Sequence, residues 1–223
     1  MNPHFTTFAD RTEAAEALAS RLMNYRGQNP LVLAIPRGAV PMGKIIADRL
    51  NGELDVVLVR KLGAPFNPEF ALGAVDETGW VHLNRPIDEE DEASAFIAEE
   101  KARQLELMRE RRARYTPSRP PIDPAGRIAI VVDDGLATGA TMIAALHAVR
   151  ARNPAELVCA VPVAAPESLA SVQRFADRAI CVHTPENFYA VGQFYRHFSQ
   201  VEDEEVVRIL DAAGAAGRHA KGS

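Results

Sequence analysis

Five short apolar runs, at 31–35, 54–59, 128–132, 157–163 and 179–182, with helical segments interleaved among them, restrict this 223-residue chain more than any other feature. Runs this short with little polar alternation are strands buried on both faces. Strands that alternate with helices are joined by right-handed crossovers, which makes the sheet parallel and puts helices on both of its sides. The expected class is therefore α/β, built as one main domain over residues 1–211 with a core at 31–59 and 128–191. A chain of this length closes one sizeable core and not two.

The segments between the runs fit that frame. Asp10 followed by Glu13 has the spacing of a helix N-terminal box, and Ala14, Leu18 and Leu22 continue at helical spacing, predicting a helix over 12–24. Further helices are expected over 41–50, 140–152 and 166–176. Residues 61–70 contain Gly63, Pro65, Asn67 and Pro68 and read as an irregular, mobile loop that could cover a ligand. From 88 to 115 acidic residues crowd the start and arginines the end, the polarity a helix dipole favours, so one long helical insertion is expected there with a solvated charged face. The proline-rich stretch 116–125 is a stiff connector. The Ala/Gly-rich end, 212–223, reads as a flexible tail.

Composition narrows the function classes. Hydrophobic residues make up 47% and charged residues 25% of the chain, which excludes a disordered or collagen-like polymer. A net charge of −5 disfavours broad nucleic-acid binding and leaves small anionic ligands open. Cys159 and Cys181 each lie inside an apolar run and read as buried thiols rather than a disulfide or metal pair. No segment has the apolar length of a membrane span or the pattern of a leader, so the expectation is a cytoplasmic protein without membrane contact.

The chemistry concentrates in Ile128-Ala129-Ile130-Val131-Val132-Asp133-Asp134-Gly135-Leu136-Ala137-Thr138-Gly139-Ala140-Thr141. A buried strand delivers two carboxylates to the C-terminal edge of the sheet, where open α/β sheets bind ligands. A loop of small and hydroxyl residues then opens a helix, so its amides can approach a phosphate at the positive helix end. Adjacent carboxylates repel a phosphate but accept well from sugar hydroxyls. Together the two elements imply a sugar phosphate. A nucleotide P-loop is excluded because no lysine follows the glycine. Receiver domains and magnesium-dependent phosphatases also carry acidic strand ends, usually on their first strand and without a Thr-Gly-x-Thr loop behind them.

This segment resembles the phosphoribosyl-pyrophosphate motif of the type I phosphoribosyltransferases. The resemblance implies their fold, a parallel sheet flanked by helices with a small hood made here from the terminal segments. It puts Asp133 and Asp134 on the ribose hydroxyls as catalytic residues, indirectly linked to a Mg²⁺ ion. Ala137, Thr138, Gly139, Ala140 and Thr141 would surround the 5-phosphate. Arg37 and Gly38, after the first core strand, and Arg60 and Lys61, after the second, would serve the pyrophosphate. Phe188 or Tyr189, shortly before Val191-Gly192, would stack on the base. Two departures stand out: Ala137 replaces the carboxylate that hypoxanthine-guanine enzymes carry, and Arg196 and His197 stand near where an acidic residue is expected. The loop is closest to that of adenine phosphoribosyltransferases. The resemblance implies transfer of a phosphoribosyl group from phosphoribosyl pyrophosphate (PRPP) to a small nitrogenous acceptor, and is compatible with a homodimer. A non-catalytic PRPP or nucleotide sensor and a phosphoribosyl hydrolase are the alternatives.

Overall fold

The computed structural model describes residues 7–64, 67–84, 92–117 and 119–220. In chain order it contains α1 (Arg11–Arg21), β1 (Leu31–Ala34), α2 (Ala39–Leu50), β2 (Glu53–Val56), β3 (Val59–Ala64), β4 (Asn67–Asp76), β5 (Val81–Leu83), α3 (Glu92–Tyr115), β6 (Ile128–Val132), α4 (Ala140–Arg150), β7 (Glu156–Val163), α5 (Pro166–Val172), β8 (Arg178–His183) and α6 (Asp203–Ala220). Five strands form one sheet in the order β2-β1-β6-β7-β8, every neighbouring pair parallel. This is the parallel sheet with flanking helices that the apolar runs imply.

Period-two alternation sorts the strand residues into two packed layers. Val32, Ala34, Val56, Ile130, Val132 and Ala160 face one side, with Leu18 of α1, Ile46 of α2 and Leu210 of α6. Leu33, Val57, Val131, Cys159 and Val161 face the other, with Met142 and Leu146 of α4. Ile130 and Val132 are fully buried, and each such side chain contributes about 1.5–3 kcal/mol. That burial fixes the strand whose end carries Asp133. Cys159 is buried and Cys181 partly so; both are free thiols, and burial pushes the Cys181 thiol up to about 11.

The strand order creates the binding position. From β1 the chain crosses to β2 on one side and later returns as β6 on the other, so the loops after β1 and β6 diverge from adjacent strand ends. Ala34 pairs with Val132 at that edge, and the Ile35 amide donates to the Val132 carbonyl at 2.9 Å. A crevice between diverging loops at such a switch point is where open sheets hold ligands.

Two regions depart from the sequence expectations. Most of 61–70 is not an irregular loop: β3 pairs antiparallel with β4, and β4 with β5, in a separate small sheet. Leu62, Ala74 and Val75 are buried in it, and register shifts around Gly63 absorb the residues that suggested a loop. Pro65 and Phe66 lie outside the described residues. At the C-terminus α6 runs from Asp203 to Ala220, so most of the segment read as a tail is helical. The expected helix at 88–115 is present as α3, with 85–91 outside the described residues. Its arginines are not a purely solvated face: Arg112 donates to Glu77 at 2.8 Å and to the Val56 carbonyl at 3.1 Å, and Arg114 reaches Asp203 and Glu204. None of the described helices is long and apolar enough to cross a membrane.

Candidate functional site

A cleft of about 290 Å³ opens at the switch point, walled by the loop after β1, the loop after β6, Lys61 and Val191. The floor of its phosphate end is built locally. Gly139 has φ +81, a left-handed conformation that favours glycine, and from it the chain turns into α4. The first-turn amides of α4 have no acceptor within the helix and form its positive end. The loop is pinned from behind: the Leu136 amide donates to the Val163 carbonyl and the Ala165 amide to the Leu136 carbonyl, both at 3.0 Å, while Ser168 Oγ donates to the Ala137 carbonyl. Thr138 stays exposed, and Ala137, Thr138, Gly139 and Thr141 all line the cleft. Ala140 is buried as the first residue of α4.

Asp133 and Asp134 sit where β6 ends. The Asp134 amide donates to Asp133 Oδ1 at 2.8 Å, which fixes that carboxylate. Burial pushes the Asp133 carboxyl well above its ordinary range and the neighbouring Asp134 charge adds to this, while Lys61 and Arg11 work in the opposite direction. Burial also raises Asp134, opposed chiefly by Arg11. Arg11, the first residue of α1, donates from Nε and Nη2 to Asp134 Oδ2 at 3.1 and 2.9 Å. Tyr195 donates its hydroxyl to the Asp134 carbonyl at 2.7 Å and is packed between Phe8 and Phe198. The two ends of the chain therefore meet over the second carboxylate.

The remaining expected site residues divide. Arg37 and Gly38 line the cleft, and the Pro36–Arg37 peptide is cis. The Arg37 guanidinium lies 3.7 Å from Glu202 and 3.9 Å from Asp203 at the start of α6. Burial works against ionisation of Asp203, but a hydrogen bond from Tyr115 and the charges of Arg111, Arg37 and Arg114 outweigh it and hold the carboxyl low. Lys61 lines the cleft, whereas Arg60 next to it donates to Gln104 of α3 at 2.7 Å and is not brought to it. Successive strand residues point to opposite faces, so one of the two had to turn away. Phe188 packs against Phe194, with ring centroids 5.1 Å apart, and Tyr189 is 88% exposed; neither lines the cleft, where Val191 stands instead.

Sequence reasoning missed Arg11 and Tyr195. It also left Asp76 unplaced: the buried Asp76 faces His147 Nδ1 at 3.1 Å, and the His147 ring stacks on Trp80 at 3.8 Å. Among the described residues no group of three or more His, Cys, Asp or Glu side chains could hold a metal. Asp133 and Asp134 alone suit a hard cation that takes most of its oxygens from a bound ligand and water, as Mg²⁺ does at phosphates.

A family model described as "Phosphoribosyl transferase domain" matches residues 9–199. A Mycobacterium tuberculosis protein of strain CDC 1551 / Oshkosh, named "Putative phosphoribosyl transferase MT0597", is 44% identical over 208 residues, which are 92% of this chain and 47% of that protein. The chain thus spans about half the length of that curated relative. The crystal structure of TT1426 from Thermus thermophilus is 44% identical, covers 92% of this chain and 98% of its own, and superposes with a TM-score of 0.77.

Proposed function

The chain belongs to the phosphoribosyl transferase domain family, and on that premise we propose that it transfers the 5-phosphoribosyl group of PRPP to a nitrogen of a base or amine, releasing pyrophosphate. The observation that carries the reading is the juxtaposition, in one cleft, of an amide-rich helix start with two adjacent carboxylates. The first suits the 5-phosphate and the second suits the ribose hydroxyls.

The residues divide the work by position. Amides of the loop at 137–141, with the hydroxyls of Thr138 and Thr141, hold the 5-phosphate. Asp133 and Asp134 accept from the ribose hydroxyls and fix the face of the ring. The loop at Arg37 and Gly38 and the Lys61 ammonium receive the pyrophosphate, where positive charge stabilises the leaving group as the C1–O bond breaks. The acceptor nitrogen forms the new bond to C1 and loses its proton to water or to the departing pyrophosphate. Ala137 has no titratable group, so the loop itself does not take that proton. Asp133 and Asp134 would hold a bound Mg²⁺, which would supply positive charge to stabilise the leaving pyrophosphate. The net negative charge and free thiols support a cytoplasmic setting and a small-molecule acceptor rather than nucleic acid.

A second reading, a PRPP sensor without turnover, draws support from Phe188, which is packed against Phe194 rather than lining the cleft. Calorimetric titration with PRPP, with and without Mg²⁺, followed by pyrophosphate release against a panel of nucleobases, separates the readings. Tight binding with base-dependent release is the expected result. Binding without release favours the sensor, release without any base favours a hydrolase, and no binding overturns the assignment of the cleft.

A further inference from the structure

Arg11 stands 123 residues before the carboxylate it contacts, and every nitrogen of its guanidinium is engaged. Nε and Nη2 converge on the single oxygen Oδ2 of Asp134. Nη1 donates to the Ser199 carbonyl at 2.6 Å, and the guanidinium lies over the Phe198 ring, 3.9 Å from its centroid. A long, flexible side chain is thereby held in one pose. The arginine and aspartate side chains are 13% and 17% exposed, so solvent screens the pair far less than a surface ion pair.

The loop after β1 closes on the same point. A Cβ added at Gly38 would lie 2.3 Å from Asp134 Oδ2 and 3.0 Å from Arg11 Nη2, so only glycine lets the backbone pass over the pair. Three separate stretches of chain are thus shaped around one carboxylate oxygen. Charge neutralisation alone does not require such geometry, since any nearby cation supplies it. Two donors converging on one oxygen, with the donor group itself clamped on two further sides, fix the carboxylate's rotation.

We infer that Arg11 is a positioning residue for the ribose: by holding Oδ2 of Asp134 it keeps the other oxygen of that carboxylate presented to the ribose hydroxyls. The inference rests on the phosphoribosyl reading of the cleft. Arg11 donates to no atom of the loops that hold phosphate, so its main effect falls on the sugar.

Titrating the full chain with ribose 5-phosphate and, separately, with inorganic pyrophosphate tests this. Arg11→Ala is expected to weaken ribose 5-phosphate binding about tenfold or more while pyrophosphate binding changes less than about twofold. Arg11→Lys is expected to recover only part of the loss, because an ammonium restores the charge but not the fork. Retained pyrophosphate binding in Arg11→Ala also shows that the fold survives. Unchanged or tighter ribose 5-phosphate binding in Arg11→Ala, equal loss of both ligands, or full recovery in Arg11→Lys each overturns the inference and leaves the reading of the cleft standing. Absence of ribose 5-phosphate binding in the unmodified protein overturns both.

Discussion

The two halves of the cleft are made in different ways. The phosphate half, from Gly135 to Thr141, is one continuous segment whose turn and helix start follow from its own residues. It needs little from elsewhere beyond the backing of Val163, Ala165 and Ser168. The sugar half, around Asp134, is assembled from Arg11, Gly38, Tyr195 and Ser199, which lie far apart in sequence. A locally encoded cradle keeps its shape when distant parts shift; an assembled one is only as exact as the docking of its parts. Substitutions in the sugar half should therefore alter sugar binding while leaving the 5-phosphate loop nearly intact.

The largest expected effect is that of Asp134→Asn. It removes a charged acceptor from the ribose and leaves the partly buried Arg11 without its counter-charge. A drop of about 10²-fold in kcat/KM is expected, with ribose 5-phosphate affinity falling as well, since each charge-assisted hydrogen bond contributes about 1.5–3 kcal/mol. Near-normal steady-state constants would contradict the role given to this carboxylate. Gly38→Ala comes next. Its Cβ cannot coexist with the Arg11–Asp134 pair at 2.3 Å from Oδ2, so the pair must separate or the loop must lift. Ribose 5-phosphate binding should fall about tenfold and stability by about 1–3 kcal/mol, measured by titration and thermal melting. Retention of full affinity would mean that the three segments are less tightly interlocked than their distances imply.

The difference between the halves also explains what could be read from the sequence. The parallel strands and the motif at 128–141 were legible because hydrophobic periodicity and loop chemistry are local. The small sheet was not: Gly63, Pro65 and Pro68 are loop residues by propensity, and it is the pairing of β3 with β4 that places Gly63 and Pro68 in strands. Arg60 and Lys61 could not both face the cleft, yet only the register of β3, with Lys61 opposite Ala74, decides which does. Phe188 had the composition of a base platform, and only the fold shows it half-buried against Phe194 and away from the lining of the cleft. Arg11 carried no local signal at all, because a single arginine after a capping Asp10 is an ordinary helix start.

Asp133→Asn separates stability from binding. Burial and the adjacent Asp134 charge raise the folded-state pKa of Asp133 above its unfolded value. The folded protein therefore holds the proton more tightly than the unfolded chain, and above both values the ionised carboxylate opposes folding. That penalty grows as pH rises above the unfolded value, is complete only above the raised folded-state value, and fades as pH falls toward the unfolded one. The asparagine keeps an oxygen for the Asp134 amide and cannot ionise, so the melting temperature should rise at neutral pH, by about 2–4 °C for each kcal/mol relieved. The gain should shrink in acid, while ribose 5-phosphate binding weakens at neutral pH. A lower melting temperature at neutral pH would mean that Asp133 stabilises the fold as a charge.

Tyr195→Phe should have the smallest effect and probes the docking of the chain ends alone. Its ring is buried against Phe8 and Phe198, and the substitution keeps that packing while removing the donor to the Asp134 carbonyl. The loss of one neutral hydrogen bond costs about 1 kcal/mol, which corresponds to a fall of about 2–4 °C in melting temperature. Because Tyr195 bonds the backbone of Asp134 and not its carboxylate, ribose 5-phosphate affinity should change less than about threefold. Burial and the nearby Asp134 charge push the phenol upward, so it remains a neutral donor and the effect should be flat between about pH 6 and pH 9. A loss of affinity as large as that of Gly38→Ala would instead show that the carboxylate's orientation depends on its backbone anchor as much as on the guanidinium that grips it.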